Sequence, residues 1–400
     1  VGSRYEAKGL EGAAHFIEHM MFKGTKRRKD TMTISRDLDA HGADYNAFTG
    51  KDYTGYYIRM EADKLPLAVD MLSDMLHHSL YRPGDIKSER KVIHEEIRMY
   101  EDNPAMSVDE ILEEELFRGS TLGKKITGTV ETMNGIERSP MLAFRDTYYV
   151  PQRTVVAIAG KFERASAMKL LEKTFGKRSA AKKEPPRFAQ FHPEKAGYQG
   201  VRVRISHKKT EQVQVALGWP SYGRDDKRRA VLTIMGVILG GNMSSRLFTE
   251  VREKRGLAYS VRAGNGTYQD IGAFTIQAGL SKDKVHDALG VITSEVKKLK
   301  TTLVGAAELL RAKDYLRGKM LLGLEDSNHM ADWYARQELL DRRIETPEMK
   351  LKRLDAVTAA QIRDAAREIF IERAMGIAVI GPYDEAADKQ GFAKHAAALY

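Results

Sequence analysis

The sequence predicts an α+β protein of two related domains, each a mainly antiparallel sheet with helices packed on it. Three observations predict this. At 400 residues the chain is too long for one ordinary core, and two domains of roughly 200 residues each are expected. Both halves alternate short β-branched or aromatic runs with longer helical patterns. Each half closes on an apolar run followed by glycine, Ala159-Gly160 in the first and Ile380-Gly381 in the second.

In the first half, residues 12–22 read as a largely buried helix stopped by Gly24, and 31–41 as a second helix ending near Gly42. Residues 45–49 and 54–60 are β-branched and aromatic and flank Gly50 and Asp52, the pattern of a two-stranded hairpin. A long helix is expected over 62–79. Another starts after Pro83 and stops before Pro104, and helical patterns continue to 117 and again over 137–148. Residues 154–160 read as a short strand and 163–175 as a helix. From 176 to 199 prolines and glycines replace apolar periodicity, which marks an interdomain linker. The expected domains are therefore 1–180 and 200–400, joined by 181–199.

In the second half, 201–205 and 212–217 read as strands. A helix is expected over 225–239, then Gly240-Gly241-Asn242, then a helix over 243–254. Strands follow at 258–263 and 272–278. Helices are expected over 282–300, 305–321, 326–341 and 358–370, with a closing strand at 375–380. Gly240-Gly241 lacks the Lys-Ser/Thr ending of a phosphate-binding loop and reads as a hinge or a substrate-contacting loop.

Composition excludes several function classes. There is no cysteine, so disulfides and thiolate metal sites are excluded, and any metal must sit on His, Asp or Glu. The net charge is +10, but the basic residues are dispersed and their clusters at 26–29 and 182–183 are short. No zinc-finger spacing or RNA-binding signature accompanies them, so no nucleic-acid partner is expected. No run approaches the ~20 apolar residues of a membrane-spanning helix. Residues 1–6 read as the end of a strand entering a loop, without an initiator Met, so a preceding segment is expected. A cytoplasmic location is the expectation, with the mitochondrial matrix as the alternative for a eukaryotic source.

The chemistry concentrates in 12–22. His15 and His19 are four residues apart, so one helical turn sets both imidazoles on one face, the spacing for a shared zinc ion. Glu18 lies on the adjacent turn and can serve metal-bound water as general base. The rest of the helix is almost wholly apolar, and three ionisable groups in such a helix need a partner. A third ligand is required. In the helix after Pro83, Ile86, Ile93, Ile97 and Tyr100 fall on one stripe. Glu89 and Glu96 fall together on its edge, and Glu95 falls nearly opposite. Glu96 is thus the better ligand candidate. Glu89 can hydrogen-bond a ligand or the water; the plainer reading of both acids is as boundary carboxylates.

These residues resemble the pitrilysin, insulinase and mitochondrial processing peptidase family of inverted zincins, and in particular its short two-domain prokaryotic members. Gly2-Ser3-Arg4-Tyr5-Glu6 leads into His15-Phe-Ile-Glu18-His19-Met-Met-Phe-Lys-Gly-Thr25, which resembles the family's signature block. Asn46-Ala47-Phe48-Thr49 resembles its edge strand, and Glu89-Arg90 followed by Glu95-Glu96 its acidic helix. Glu96 stands 77 residues after His19, within the separation at which the resemblance places the third ligand. Arg252 and Tyr259 resemble the family's Arg–Tyr pair, with Arg255 a weaker alternative to Arg252.

The resemblance implies one Zn2+ per chain on His15, His19 and Glu96, with Glu18 as base and Glu89 as a supporting acid. It implies that Asn46, Ala47 and Phe48 hold substrate by strand addition. It implies that Arg252 and Tyr259 reach the active site from the C-terminal domain, where a guanidinium and a phenol suit a developing oxyanion. The expected function is a zinc metalloendopeptidase acting on peptides or unfolded segments within the chamber of a clam-like dimer. A homodimer is favoured because the chain keeps both the zinc motif and the Arg–Tyr pair; a heterodimer is the alternative. The rival functions are a subunit that processes presequences, disfavoured because a chain of +10 repels basic presequences, and a non-catalytic structural homologue, disfavoured by the intact motif.

Overall fold

The computed structural model describes residues 1–177, 179–397 and 399. Along the chain run α1 (Ala13–Met21), α2 (Thr31–Asp39), β1 (Asp44–Thr49), β2 (Thr54–Arg59), α3 (Leu65–His78), α4 (Pro83–Asp102), α5 (Pro104–Leu116), α6 (Val130–Gly135), α7 (Arg138–Tyr148) and α8 (Arg164–Thr174). Then come β3 (Arg202–His207), β4 (Gln212–Tyr222), α9 (Arg229–Gly240), β5 (Ala258–Thr267), β6 (Ile271–Ser281), α10 (Val285–Thr301), α11 (Ala306–Leu324), α12 (Ser327–Arg336), α13 (Pro347–Asp355), α14 (Ala359–Ile369), β7 (Gly376–Gly381) and α15 (Glu385–Ala397). The fold is α+β, as the alternating patterns predict. No helix among the described residues is long and apolar enough to cross a membrane.

Two compact units result. Unit 1 comprises Val1–Met99, Lys124–Ala189 and Gly323–Ile344; unit 2 comprises Tyr100–Gly123, Gln190–Leu322 and Glu345–Tyr400. This is not the linear division at 181–199. The segment carrying α5 joins unit 2 because its Leu112 and Leu116 sit on the sheet where Gly218 of β4 pairs with Gly376 of β7. A Cβ at Gly218 would lie 2.9 Å from both leucines, so the paired glycines make the hollow that admits them. The segment carrying α12 joins unit 1, where Asp326 accepts a hydrogen bond from Arg59 at 2.7 Å.

Unit 1 carries the two-stranded antiparallel sheet β1–β2. Its core centres on α1, whose Ala13, Ala14, Phe16, Ile17, Met20 and Met21 are all fully buried. A helix apolar everywhere except at His15, Glu18 and His19 belongs inside a domain, and each large apolar side chain there contributes about 1.5–3 kcal/mol of burial. Unit 2 carries the five-stranded sheet β3-β7-β4-β6-β5, antiparallel except for the β3–β7 pair. Its core packs Trp219 and Phe274 edge-to-face against Phe370, with ring centroids 4.9 and 5.2 Å apart.

Three expectations are corrected. Residues 154–160 have strand-like composition but pair with no strand; with 54–60 and side chains of α3 and α12 they line a cavity of about 880 Å³. β-branched residues favour a pleated surface only where a neighbouring strand completes it. The continuous helix expected over 243–254 is instead a turn followed by a π-helical stretch, Phe248–Glu253. The helix expected over 326–341 likewise ends as a π-helical turn at Gln337–Asp341, closed by Arg342 in the left-handed region. The helices α6, α13 and α15 have no counterpart among the expected elements.

Candidate metal centre

The centre is built on α1 and α4 of unit 1. Gly12 starts α1 with φ 98°, a left-handed conformation that suits glycine. No side chain of Gly12 can cap the helix. Glu6 does so from six residues upstream: its two carboxylate oxygens accept from the backbone N–H of Gly12 at 2.8 Å and of Ala14 at 2.7 Å. Those are among the donors a helix start leaves free; they oppose, without cancelling, the burial that pushes the Glu6 carboxyl up to about 8. Arg4, fully buried, donates to Asp52 at 2.9 Å, and Ser3 N and Arg4 N donate to Gly50 O and Lys51 O. Residues 2–6 thus fasten the β1–β2 turn and the start of α1 to one another.

His15, His19 and Glu96 converge. The Nε2 atoms of the two histidines are 3.2 Å apart, and Glu96 Oε2 lies 3.5 Å from each. Ligand atoms ~2.0–2.2 Å from a tetrahedral zinc stand roughly 3.3–3.5 Å from one another, so the triangle has the dimensions of three zinc ligands. These three are the one group of metal-competent side chains found among the described residues. The chemistry fits too: two imidazoles and a carboxylate, with a fourth direction left open. Two imidazole nitrogens and a carboxylate oxygen turned toward one point present three lone pairs, the donor set a divalent cation takes.

Charge within the cluster is uneven. Burial, and then the neighbouring His19, push the His15 imidazole below its usual range. For His19 burial acts in the same direction, but the carboxylates of Glu89 and Glu96 outweigh it and raise the ring to about 9. Glu96 is held below the usual carboxylate range by its contact with His19.

Of the stripe expected on α4, the three isoleucines are buried and Tyr100 is half-buried. Ile86, Ile93 and Ile97 are buried, Glu89 and Glu96 point to α1, and Glu95 is exposed and paired with Arg98 at 2.5 Å. Both oxygens of Glu89 are engaged by side chains of the α1 region. One of its oxygens takes His19 Nδ1 at 2.9 Å, and the other is ion-paired with Lys23. That contact fixes the ring so that Nε2 faces His15 and Glu96. Lys23 has no counterpart among the sequence-based candidates. Its position, one turn past His19, was the available signal.

Glu18 is buried beside the histidines, and Oε2 accepts a hydrogen bond from the Thr49 hydroxyl at 2.5 Å. Burial raises its carboxyl above the usual range, and the Thr49 hydroxyl opposes the rise. The strand that supplies Thr49 also carries Asn46, Ala47 and Phe48. Among the described residues β1 pairs with β2 alone, which leaves its other edge open. Asn46 Oδ1 accepts from Ala47 N at 2.8 Å. The Phe48 ring lies over Gly55, where a Cβ would collide with it, and packs edge-on to Tyr53 at 5.4 Å.

Arg252 and Tyr259 come together within unit 2. The Arg252 guanidinium is 5.7 Å from the Tyr259 ring centroid, and Tyr259 is 73% exposed. Two irregularities aim them. Arg252 sits in the π-helical stretch, and Tyr259 is the extra residue at the register shift of β5 between Ala258 and Ser260. Such bulges redirect a side chain that a regular ladder would constrain. Arg255 is instead tied to Glu250 at 2.6 Å.

Residues 1–130 match the family model described as Insulinase (Peptidase family M16), and 135–316 match that described as Peptidase M16 inactive domain. The chain is 38% identical over 399 residues to an uncharacterized zinc protease of Streptomyces coelicolor, spanning 99% of this chain and 85% of that protein. It is 34% identical over 385 residues to an uncharacterized zinc protease of Bacillus subtilis, spanning 95% and 91%. A solved protease from Helicobacter pylori superposes with a TM-score of 0.90 at 23% identity, over 96% of this chain and 92% of that one, a likeness of fold. With the histidine–glutamate triangle and these relatives in hand, the chain belongs to peptidase family M16, the insulinase family.

Proposed function

We propose that the chain is a zinc metalloendopeptidase that hydrolyses peptides or unfolded segments, with one zinc held by His15, His19 and Glu96. The observation that carries the reading is the ligand triangle with a buried carboxylate, Glu18, one turn away on the same helix. Zinc so held supplies a lowered pKa to water and polarisation to a carbonyl oxygen. The chain's own residues do the rest. The open edge of β1 at Asn46, Ala47 and Phe48 receives the substrate as an added strand and holds its backbone extended. Glu18 takes the proton of the attacking water as the new C–O bond forms. It then passes that proton to the amine nitrogen as the C–N bond breaks. Arg252 and Tyr259 are assigned to stabilising the developing oxyanion, on the strength of the family pattern. A dimer of two identical chains enclosing a chamber belongs to the same reading and would favour unfolded over folded substrates.

The test compares the parent with Glu18→Gln for zinc content and for hydrolysis of a quenched unstructured peptide. The reading expects near-stoichiometric zinc in both and a loss in the variant of ~10²–10⁴-fold in rate. A zinc-loaded parent that cleaves nothing overturns it.

A further inference from the structure

We propose that Thr49 is a positioning residue for Glu18, holding one carboxylate oxygen so that the other faces the substrate water. The inference rests on the reading of Glu18 as general base. Its grounds are geometric. The Thr49 hydroxyl donates to Glu18 Oε2 at 2.5 Å, which leaves Oε1 as the oxygen available to a proton. A glutamate has three side-chain torsions, and burial alone does not select among their combinations. Threonine is suited to select one, because its branched Cβ restricts χ1 within a strand.

The direction of the hydrogen bond is set from behind. Thr49 closes β1 and stands in register with Thr54, the first residue of β2. The two hydroxyl oxygens are 3.3 Å apart, and Thr54 donates to Val1 O at 2.8 Å. Each hydroxyl has one proton. With the Thr54 proton directed at the carbonyl, the Thr49 proton is left for Glu18. The backbones of both partners hang on the same short segment. Residues 3 and 4 bond Gly50 and Lys51 just past Thr49, and Glu6 caps the helix that carries Glu18. Gly2 permits this approach, since a Cβ there would lie 2.3 Å from Gly50 O. The hydroxyl and the carboxylate are therefore held at a fixed separation by one piece of chain, an arrangement that structural packing alone does not require.

The experiment uses the full chain loaded with zinc and compares the parent with Thr49→Val, Thr49→Ser and Glu18→Gln. Zinc content, thermal midpoint, kcat and KM on a quenched unstructured peptide are measured, together with the Glu18 rotamer in a crystal structure of Thr49→Val. The expected result is that Thr49→Val keeps its zinc and changes KM less than about twofold, loses about 10–100-fold in kcat, and shows Glu18 in more than one rotamer. Thr49→Ser restores most of the lost kcat. The inference is overturned by Thr49→Val at the parent's kcat, by a loss confined to KM or to zinc content, or by Thr49→Ser as impaired as Thr49→Val. Failure of the base assignment is read separately: there Glu18→Gln itself cleaves at the parent's rate, and the Thr49 inference falls with it.

Discussion

His19 Nδ1 stands 2.9 Å from Glu89, and Glu89 is in turn ion-paired with Lys23, so a three-residue chain runs from a half-buried cation to the His19 imidazole. Removing the middle link frees the imidazole to rotate and takes away the acceptor that keeps the proton on Nδ1. We predict that Glu89→Ala weakens zinc binding about 10–100-fold while the fold is retained. Competition with a chromophoric chelator measures this directly; an unchanged affinity would show that His19 needs no such support.

The two neighbouring acids of α4 have opposite fates. Glu96 Oε2 is 3.5 Å from Nε2 of both His15 and His19, whereas Glu95 is exposed and paired with Arg98. Glu96→Ala is expected to abolish stoichiometric zinc in metal analysis. Glu95→Ala is expected to keep zinc and to shift stability by no more than about 0.5 kcal/mol, the usual scale of a surface ion pair. Equal zinc in the two variants would contradict the ligand assignment.

Gly12 and Gly9 separate steric from conformational cost at the start of α1. Both have positive φ, 98° and 87°. A Cβ at Gly9 meets nothing within 4 Å, while one at Gly12 falls 2.2 Å from Met133 Cε and 2.7 Å from Thr127 O. Gly9→Ala is expected to cost about 1 kcal/mol from backbone strain alone. Gly12→Ala should cost about 2–4 kcal/mol and disturb zinc binding, because α1 must shift. Denaturant titration of the two variants gives the ordering, and equal losses would refute the packing argument.

Acid sensitivity of unit 1 should centre on Asp74. Its carboxylate is fully buried and accepts from Thr25 at 2.6 Å, Arg27 at 3.1 Å and Arg28 at 3.0 Å. Burial alone would raise its pKa, but these donors outweigh burial and hold it below the usual range. A carboxyl whose folded pKa is depressed contributes stability above its unfolded value of ~4, and that contribution is lost as pH falls through the folded value. Asp74→Asn is expected to cost about 1–3 kcal/mol at pH 7, since it weakens buried charge-assisted hydrogen bonds while Arg27 keeps Asp70 and Arg28 keeps Asp37 and Asp70, and to flatten the loss of stability below pH ~4. Denaturation midpoints followed from pH 7 to pH 2 test both; parallel curves for parent and variant would place the acid limb elsewhere.

What the sequence disclosed follows from what each feature depends on. The His15–Glu18–His19 set and the Glu96 edge are products of helical periodicity, so spacing alone reaches them. Periodicity is silent on what crosses between elements. Thr49 meets Glu18 from 31 residues away, and Glu89 meets His19 from 70. Both contacts depend on how the hairpin and α4 pack on α1. The run 154–160 carries the right residues for a strand, but a strand is made by its neighbour, and none is hydrogen-bonded to it here. At 243–254 helical composition concealed the π-helical turn that aims Arg252. The missed α13 had a legible start in Thr346, which caps it, and Pro347. In α15 the apolar residues are too evenly spread to give a stripe, so nothing in its pattern announced it.

The most direct test of the account is an anomalous difference map collected at the zinc edge from crystals grown with zinc. The account predicts one peak per chain lying ~2.0–2.2 Å from His15 Nε2, His19 Nε2 and a carboxylate oxygen of Glu96, with Glu89 still on His19 Nδ1. A chain that shows no peak there in the presence of zinc, or binds the metal through other residues, would contradict it.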